Sequence, residues 1–375
     1  MKPSLRPLFL VLAALLLLLA SPVYALENMP EPVHVRARVV YVGDMIEETY
    51  AGGMFKEQPV QVKILQGEFK GQVVDIRHSR IEYNPAYDIE VKEGTEVILW
   101  LVADSGGIVE AHIDSIARDK SMAWLAAAYL GSLVIVGGKK GLRTAVSLIF
   151  TVGVIMKVLL PMLLKGYDPV LLAVGISAVV ASVTILLVGG RGKKALSAIC
   201  GTTGGVLIAG IVAKLVGKGA QLTGFGTEEA SMLLYIPQEI QFDYRGLLFA
   251  GILIGALGAV MDVAVSVASA MSEIRQASPD MPRSRLFASG MNVGRDVMGT
   301  MSNTLILAYA GGAIPLLLLF LAYDTPFGYV INLDIIATEV VRALAGSLGL
   351  IMAIPLTAAV SSYLLGSGST RPDIS

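Results

Sequence analysis

The sequence is poor in the groups from which most enzyme and metal sites are built. One cysteine, Cys200, stands among 375 residues. It excludes an internal disulfide and a thiolate metal centre. The three histidines, His34, His78 and His112, all precede the main hydrophobic region, which argues against a membrane-embedded zinc site. Charge is also scarce, at 16% of residues against about 25% in soluble proteins. A net charge of -1 leaves no basic footprint for nucleic acid. There is no Gly-x-x-x-x-Gly-Lys-Ser/Thr run, so no P-loop hydrolyses ATP. His-Glu-x-x-His, Gly-x-Ser-x-Gly and Gly-x-Gly-Asp are missing as well. No catalytic residue and no cofactor is assigned.

What is abundant is apolar length. Hydrophobic residues make up 54% of the chain, concentrated in long runs, which is the membrane signature. Residues 1–25 read as a signal peptide or an uncleaved signal anchor: Lys2 and Arg6, then an apolar core over Leu8–Ala20, then Val23-Tyr24-Ala25 as a cleavage site. Residues 26–120 change to period two. Val33, Val35, Ala37 and Val39 alternate with His34, Arg36 and Arg38, as in a half-buried strand. Similar runs at 60–65, 72–76, 96–102 and 109–113, with glycine turns between them, predict a small β-barrel-like domain, of the oligonucleotide-binding type in shape. The histidines here read as surface or strand residues.

Seven apolar segments follow, at about 122–137, 144–164, 169–189, 195–216, 247–271, 297–321 and 343–364. Each is near the ~20 residues that cross ~30 Å of hydrocarbon, and backbone polarity in lipid makes them helices. The fold expected is thus a multipass α-helical membrane protein with an N-terminal extracytoplasmic β-barrel-like domain, a helical domain over 121–365 and a cytoplasmic tail over 366–375. Alternate loops carry the cations Lys139, Lys140, Arg143, Arg191, Lys193, Lys194, Arg275, Arg283 and Arg285. By the positive-inside rule these face the cytoplasm of the cell membrane, with residues 26–120 outside. Gly251-Ile-Leu-Ile-Gly255, and Gly201, Gly204, Gly205 and Gly210, suit close helix packing. Pro161, Pro315 and Pro355 are sites for helix kinks.

Polar groups inside these segments are the candidate site. Asp262, Ser266, Ser269 and Glu273 recur at spacings of four, three and four, on one helical face. Lipid penalises such a face, so it is expected to point into the bundle or a cavity. Asn292, Asp296 and Asn303 share a face of the next segment, if its helix begins near 292. Arg295 stands ready to neutralise Asp296 or Glu273. Carboxylates with amide and hydroxyl oxygens suit a hard cation or a proton-coupled step; a structural polar network uses the same residues. Which metal, if any, is left open. The methionines nearby, from Met261 to Met301, read as core filling rather than soft-metal ligands. Asp334, Thr338, Glu339 and Arg342, and the loop 217–245, form a weaker third candidate. Lys157 and Lys214 read as snorkelling cations.

The residues Gly255-Ala-Leu-Gly258-Ala-Val-Met261-Asp262-Val-Ala-Val-Ser266-Val-Ala-Ser269, and then Gly294-Arg295-Asp296-Val-Met-Gly299-Thr300-Met-Ser302-Asn303-Thr304 with Ala308-Tyr309-Ala-Gly-Gly312, resemble the YibE/F-like membrane proteins. The resemblance covers residues 30–365. It implies a multipass topology and points to the same polar stripes, but supplies no substrate and no reaction. Three functions follow as expectations. The first is transport or export of an ion or small solute. The second is an accessory or assembly role, in which the outer domain binds an envelope protein. The third, an intramembrane enzyme, lacks a motif. The expected partners are the lipid bilayer, an ion or small solute, and a second copy or an envelope protein.

Overall fold

A computed structural model describes residues 32–50, 53–80, 89–104, 107–236 and 242–366. The signal sequence expected over 1–25, and the tail from residue 367 onward, lie outside these residues. The chain divides into two compact units that meet at Gly131 and Ser132.

The first unit contains six strands: β1 (Val33–Val42), β2 (Ile46–Tyr50), β3 (Gly53–Ile64), β4 (Val73–Arg80), β5 (Glu96–Asp104) and β6 (Gly107–Ile116). β1 pairs with residues 60–64 of β3 and β2 with residues 53–57, while β4 pairs with residues 56–63. A strand has two edges, so β1 and β2 share one of them and act as a single bent strand. On its other side β1 pairs with β5, and β5 with β6. β6 in turn approaches β4, which leaves a nearly closed five-stranded antiparallel barrel. The period-two pattern fills it: Val35, Ala37, Val39, Val60, Val62, Ile64, Val97, Leu99 and Leu101 are buried. His78 is buried with them and its Nε2 lies 2.7 Å from Ile89 O; His112 lies 2.8 Å from Glu110.

Charges join the barrel to the helix that follows. Glu96 takes hydrogen bonds from Arg38 and Lys120, both at 2.8 Å, and Arg36 pairs with Asp119. The Lys120 and Arg38 bonds, with the Lys120 and Arg36 charges, outweigh desolvation and hold the Glu96 carboxyl at about 2.

The helices are α1 (Asp119–Val154), α2 (Leu160–Leu164), α3 (Pro169–Val188), α4 (Lys193–Gly219), α5 (Glu228–Met232), α6 (Tyr244–Ala277), α7 (Arg283–Gly312), α8 (Ile314–Ala322), α9 (Phe327–Val330) and α10 (Asp334–Leu365). Among the described residues, five helical stretches are long and apolar enough to cross a membrane, or six if α7 and α8, bent by 57° at their junction, form one span. The longest stretch, Asp119–Leu164, is not one rod. Gly138 takes φ 54° and ψ -130°, a conformation that favours glycine. A Cβ at Gly141 would lie 1.7 Å from the carbonyl oxygen of Leu133. In a continuous helix these residues would be about 12 Å apart along the axis. The chain therefore folds back at Gly138, and the two apolar segments expected over 122–137 and 144–164 are separate helices.

Pro161 removes one backbone donor, and the chain answers with a π turn over Ile155–Leu159, closed by the Leu160 N–H on Ile155 O. Lys157 lies in this turn. One segment departs from expectation. The apolar run at 297–321 is not a single helix: α7 starts at Arg283, because its first turns are polar and escape a hydropathy reading, and it ends before Pro315, which opens α8.

The core of the second unit lies among α3, α4, α6 and α10. α4 and α10 cross backbone to backbone. A Cβ at Gly205 would meet Gly349 O at 2.7 Å, and one at Gly201 would meet Thr357 Oγ1. Gly251 behaves differently, with nothing within 4 Å of an added Cβ. The glycines of α4 are thus packing residues, while Gly251 opens onto the surface.

Candidate functional site

The candidate polar residues lie on two adjacent helices. α6 and α7 run antiparallel: Gly290 packs against Met271, and Tyr309 Oη reaches Gly255. Along α6 the exposed positions are Gly251, Gly255, Gly258, Asp262, Ser266 and Glu273, with Ser269 half-buried between the last two. Their spacing of three and four makes one stripe. Leu253, Leu257, Val260, Ala264, Val267 and Met271 are buried, and at 100° per residue they centre on the opposite side of the helix. α7 repeats the arrangement. Asn292, Asp296, Gly299 and Asn303 are exposed, while Leu286, Gly290, Gly294 and Leu305 face the core.

Both stripes therefore point off the core of this unit. Of the bundle and the cavity expected to receive them, the packed bundle core does not. The core sides of α6 and α7 are fully used by Leu, Val, Ala, Gly and Met, so the polar residues take the remaining side. Arg295 does not close an ion pair with Asp296 or Glu273. Its Nη1 donates to Asn292 Oδ1, one turn earlier, at 3.0 Å. Asp262, Glu273 and Asp296 have no hydrogen bond or ion pair among the described residues. The described residues contain no cluster of three or more His, Cys, Asp or Glu side chains able to hold a metal ion.

Outward exposure means different things for different residues. Leu171, Leu196, Leu207, Ile211, Leu215 and Leu318 are also exposed, and they suit contact with lipid tails. A carboxylate in mid-span does not: it faces water, another polar surface or a partner. Together the two stripes offer carboxylates, amides, hydroxyls and bare backbone at the glycines, on one side of adjacent helices.

A second feature lies at one end of the same unit. Thr223 donates from its backbone N–H to Asp334 Oδ1 at 3.1 Å and from its hydroxyl to Asp334 Oδ2 at 2.7 Å. This pins the loop after α4 onto the first turn of α10. Phe225 stacks on Tyr244 with ring centroids 4.3 Å apart. Between loop and helices is a cavity of about 280 Å³ lined by Glu229, Leu233, Tyr244, Leu247, Thr338 and Arg342, among others. The sequence marks both walls as polar, at 217–245 and at 334–342, but they lie about a hundred residues apart. Only the fold brings them together.

A model of the YibE/F-like protein family matches residues 125–367, and one of the YibE/F family N-terminal domain matches residues 44–116. The chain belongs to the YibE/F-like family. The first match takes in the whole of α6 and α7, and the second most of the barrel, so this YibE/F-like chain carries both parts in one polypeptide. No curated protein and no solved structure matches it.

Proposed function

We propose that this YibE/F-like protein is a cell-membrane transporter or exporter of an ion or small solute, with its pathway along the polar stripes of α6 and α7. The observation that carries the reading is the position of Asp262 and Asp296. Each sits in a stripe turned away from the apolar core, without a partner among the described residues. Ionisable side chains within membrane-spanning helices are rare and mark ion or substrate pathways when they border a water-filled cavity. Gly251 and Gly258 of the α6 stripe leave room for a solute or a second helix to approach the backbone.

The orientation follows from charge. The connections at 138–143, 189–194 and 278–283 form the basic end of the helical unit, and the positive-inside rule places them in the cytoplasm. The same rule, applied across the first span, puts residues 26–120 outside the membrane. A signal sequence over residues 1–25 delivers them there. The exposed leucines and isoleucines contact the bilayer. A second copy, laid over the stripes, is one way to close the pathway.

The second reading is an accessory protein whose outer barrel binds an envelope partner. The salt-bridge network of Arg36, Arg38, Glu96, Asp119 and Lys120 favours it, because it ties β1 and the start of β5 to the first helix. The test is flux into liposomes by purified protein, against a panel of metal cations and small anions, beside Asp262→Asn and Asp296→Asn. Flux by the wild type that both folded variants lose supports transport. Absence of flux across the panel, with all three proteins folded, ends the ion-transport form of the reading and favours the accessory role.

A further inference from the structure

The stripes of α6 and α7 form only one wall. Asp262 and Asp296 are exposed on that wall, and hydrocarbon does not accept a carboxylate in mid-span. Among the described residues neither has a partner within the chain, and nor do Ser266 and Asn303. A polar surface therefore has to lie opposite them. The register of the two helices says which surface fits.

α6 and α7 run antiparallel, with Gly290 beside Met271 and Gly255 against the Tyr309 hydroxyl. Both helices rise equally per residue, so depths along one carry over to the other. Ser266 then lies level with Asp296, and Asp262 with Thr300, each to within about one turn. The Asn303 amide is next along the α7 stripe. Both aspartates are thus level with a hydroxyl on the other helix. Within one chain these groups stand side by side and point the same way, off the core, without meeting.

A second copy inserted in the same orientation is related to the first by a two-fold axis along the membrane normal. That operation keeps depth and exchanges sides. When the two faces are laid together, α6 of each copy stands opposite α7 of the other. Asp262 then faces the partner's Thr300, and Ser266 faces the partner's Asp296. An unrelated protein has no reason to match these levels, whereas a copy of the chain matches them by symmetry. Gly251, Gly258 and Gly299, where an added Cβ would meet nothing within 4 Å, let the backbones come close.

We propose that a second copy of this chain covers the polar face of α6 and α7, and that the pathway runs in the seam between the two copies. The seam as a pathway rests on the transport reading; the contact between copies does not.

The test uses two full-length copies with different tags, both Cys200→Ser, expressed together in one membrane. In one pair Asp262→Cys is matched with Thr300→Cys, and in another Ser266→Cys with Asp296→Cys. Mild oxidation should join the two tags by a disulfide in at least one of these level pairs. Asp262→Cys with Asn292→Cys, displaced by about 12 Å in depth, should yield at least about tenfold less. Light scattering of the unmodified protein in detergent should give the mass of two chains. No mixed dimer in either level pair, an equal yield in the displaced pair, or a single-chain mass would overturn the proposal. Liposome flux is a separate result. Mixed dimers without flux keep the interface and end the transport reading, while flux from a monomer keeps transport and ends the interface.

Discussion

Gly205→Ala in α4 should destabilise the helical unit far more than Gly251→Ala in α6, although both glycines sit in membrane-length helices of similar composition. The added methyl at 205 would lie 2.7 Å from Gly349 O, 2.8 Å from Val260 Cγ1 and 2.9 Å from Ala353 Cβ. Ordinary carbon contacts are about 3.5–4.0 Å, so α4 must move away from α10 and α6 by roughly an ångström. The nearest obstacle is backbone, which no rotamer change can relieve. Overpacking of this kind costs about 1–3 kcal/mol. In a unit of this size each kcal/mol lowers the melting point by roughly 2–4 °C, which predicts a fall of about 2–12 °C. At Gly251 the methyl meets nothing within 4 Å, and both variants share the same gain in helix propensity, about 1 kcal/mol. Thermal unfolding in detergent micelles, followed by near-ultraviolet circular dichroism, measures the difference. Equal melting points for the two variants would refute the assignment of the α4–α10 crossing as the tight interface.

Other perturbations give equally definite outcomes. Gly138→Ala places a side chain on a φ of 54° and ψ of -130° and should cost about 1–3 kcal/mol, read in the same unfolding assay; an unchanged melting point contradicts the turn. The Glu96 carboxyl is held at about 2, first by its hydrogen bonds to Lys120 and Arg38. A depressed acid of this kind stabilises the fold above the unfolded-state value near 4.5 and loses that contribution as pH falls toward 2. Barrel stability should therefore be level with respect to this group from pH 7 to about 5 and decline below that. Glu96→Gln should remove this part of the acid sensitivity, and an unaltered acid profile in the variant would count against the network. In a Cys200→Ser background, Lys63→Cys should react with an impermeant thiol reagent on intact spheroplasts, and Arg285→Cys only after lysis; the reverse pattern would invert the topology.

Much of this architecture was legible because it rests on periodicity. Alternation of valines with polar residues gives β1 and the paired half of β3, and the apolar segments other than 297–321 correspond to helices, although that at 343–364 begins well earlier, at Asp334. β2 escaped because Ile46–Tyr50 carries a polar run, Glu47-Glu48-Thr49, and gains its strand from pairing with β3. The start of α7 escaped because Arg283–Asp296 is polar enough to read as a loop; Leu286, Gly290 and Gly294 are what bind it to the core. The candidate stripes were visible as helical spacings. Their direction was not, since a spacing of three and four shows that residues share a face but not what the face meets. The cavity between the α4–α6 loop and α10 was the least legible, because its two walls lie about a hundred residues apart in the chain.

If the pathway runs as proposed, the stripes of α6 and α7 border water within the membrane. Single cysteines at Asp262, Ser266, Asp296 and Asn303, in the Cys200→Ser background, test it in reconstituted membranes with a water-soluble thiol reagent. Leu207→Cys and Ile211→Cys, exposed on the apolar side of α4, are the controls. Rapid labelling is expected at the four stripe positions and almost none at the controls. Labelling at the stripe as slow as at Leu207 and Ile211 would contradict it.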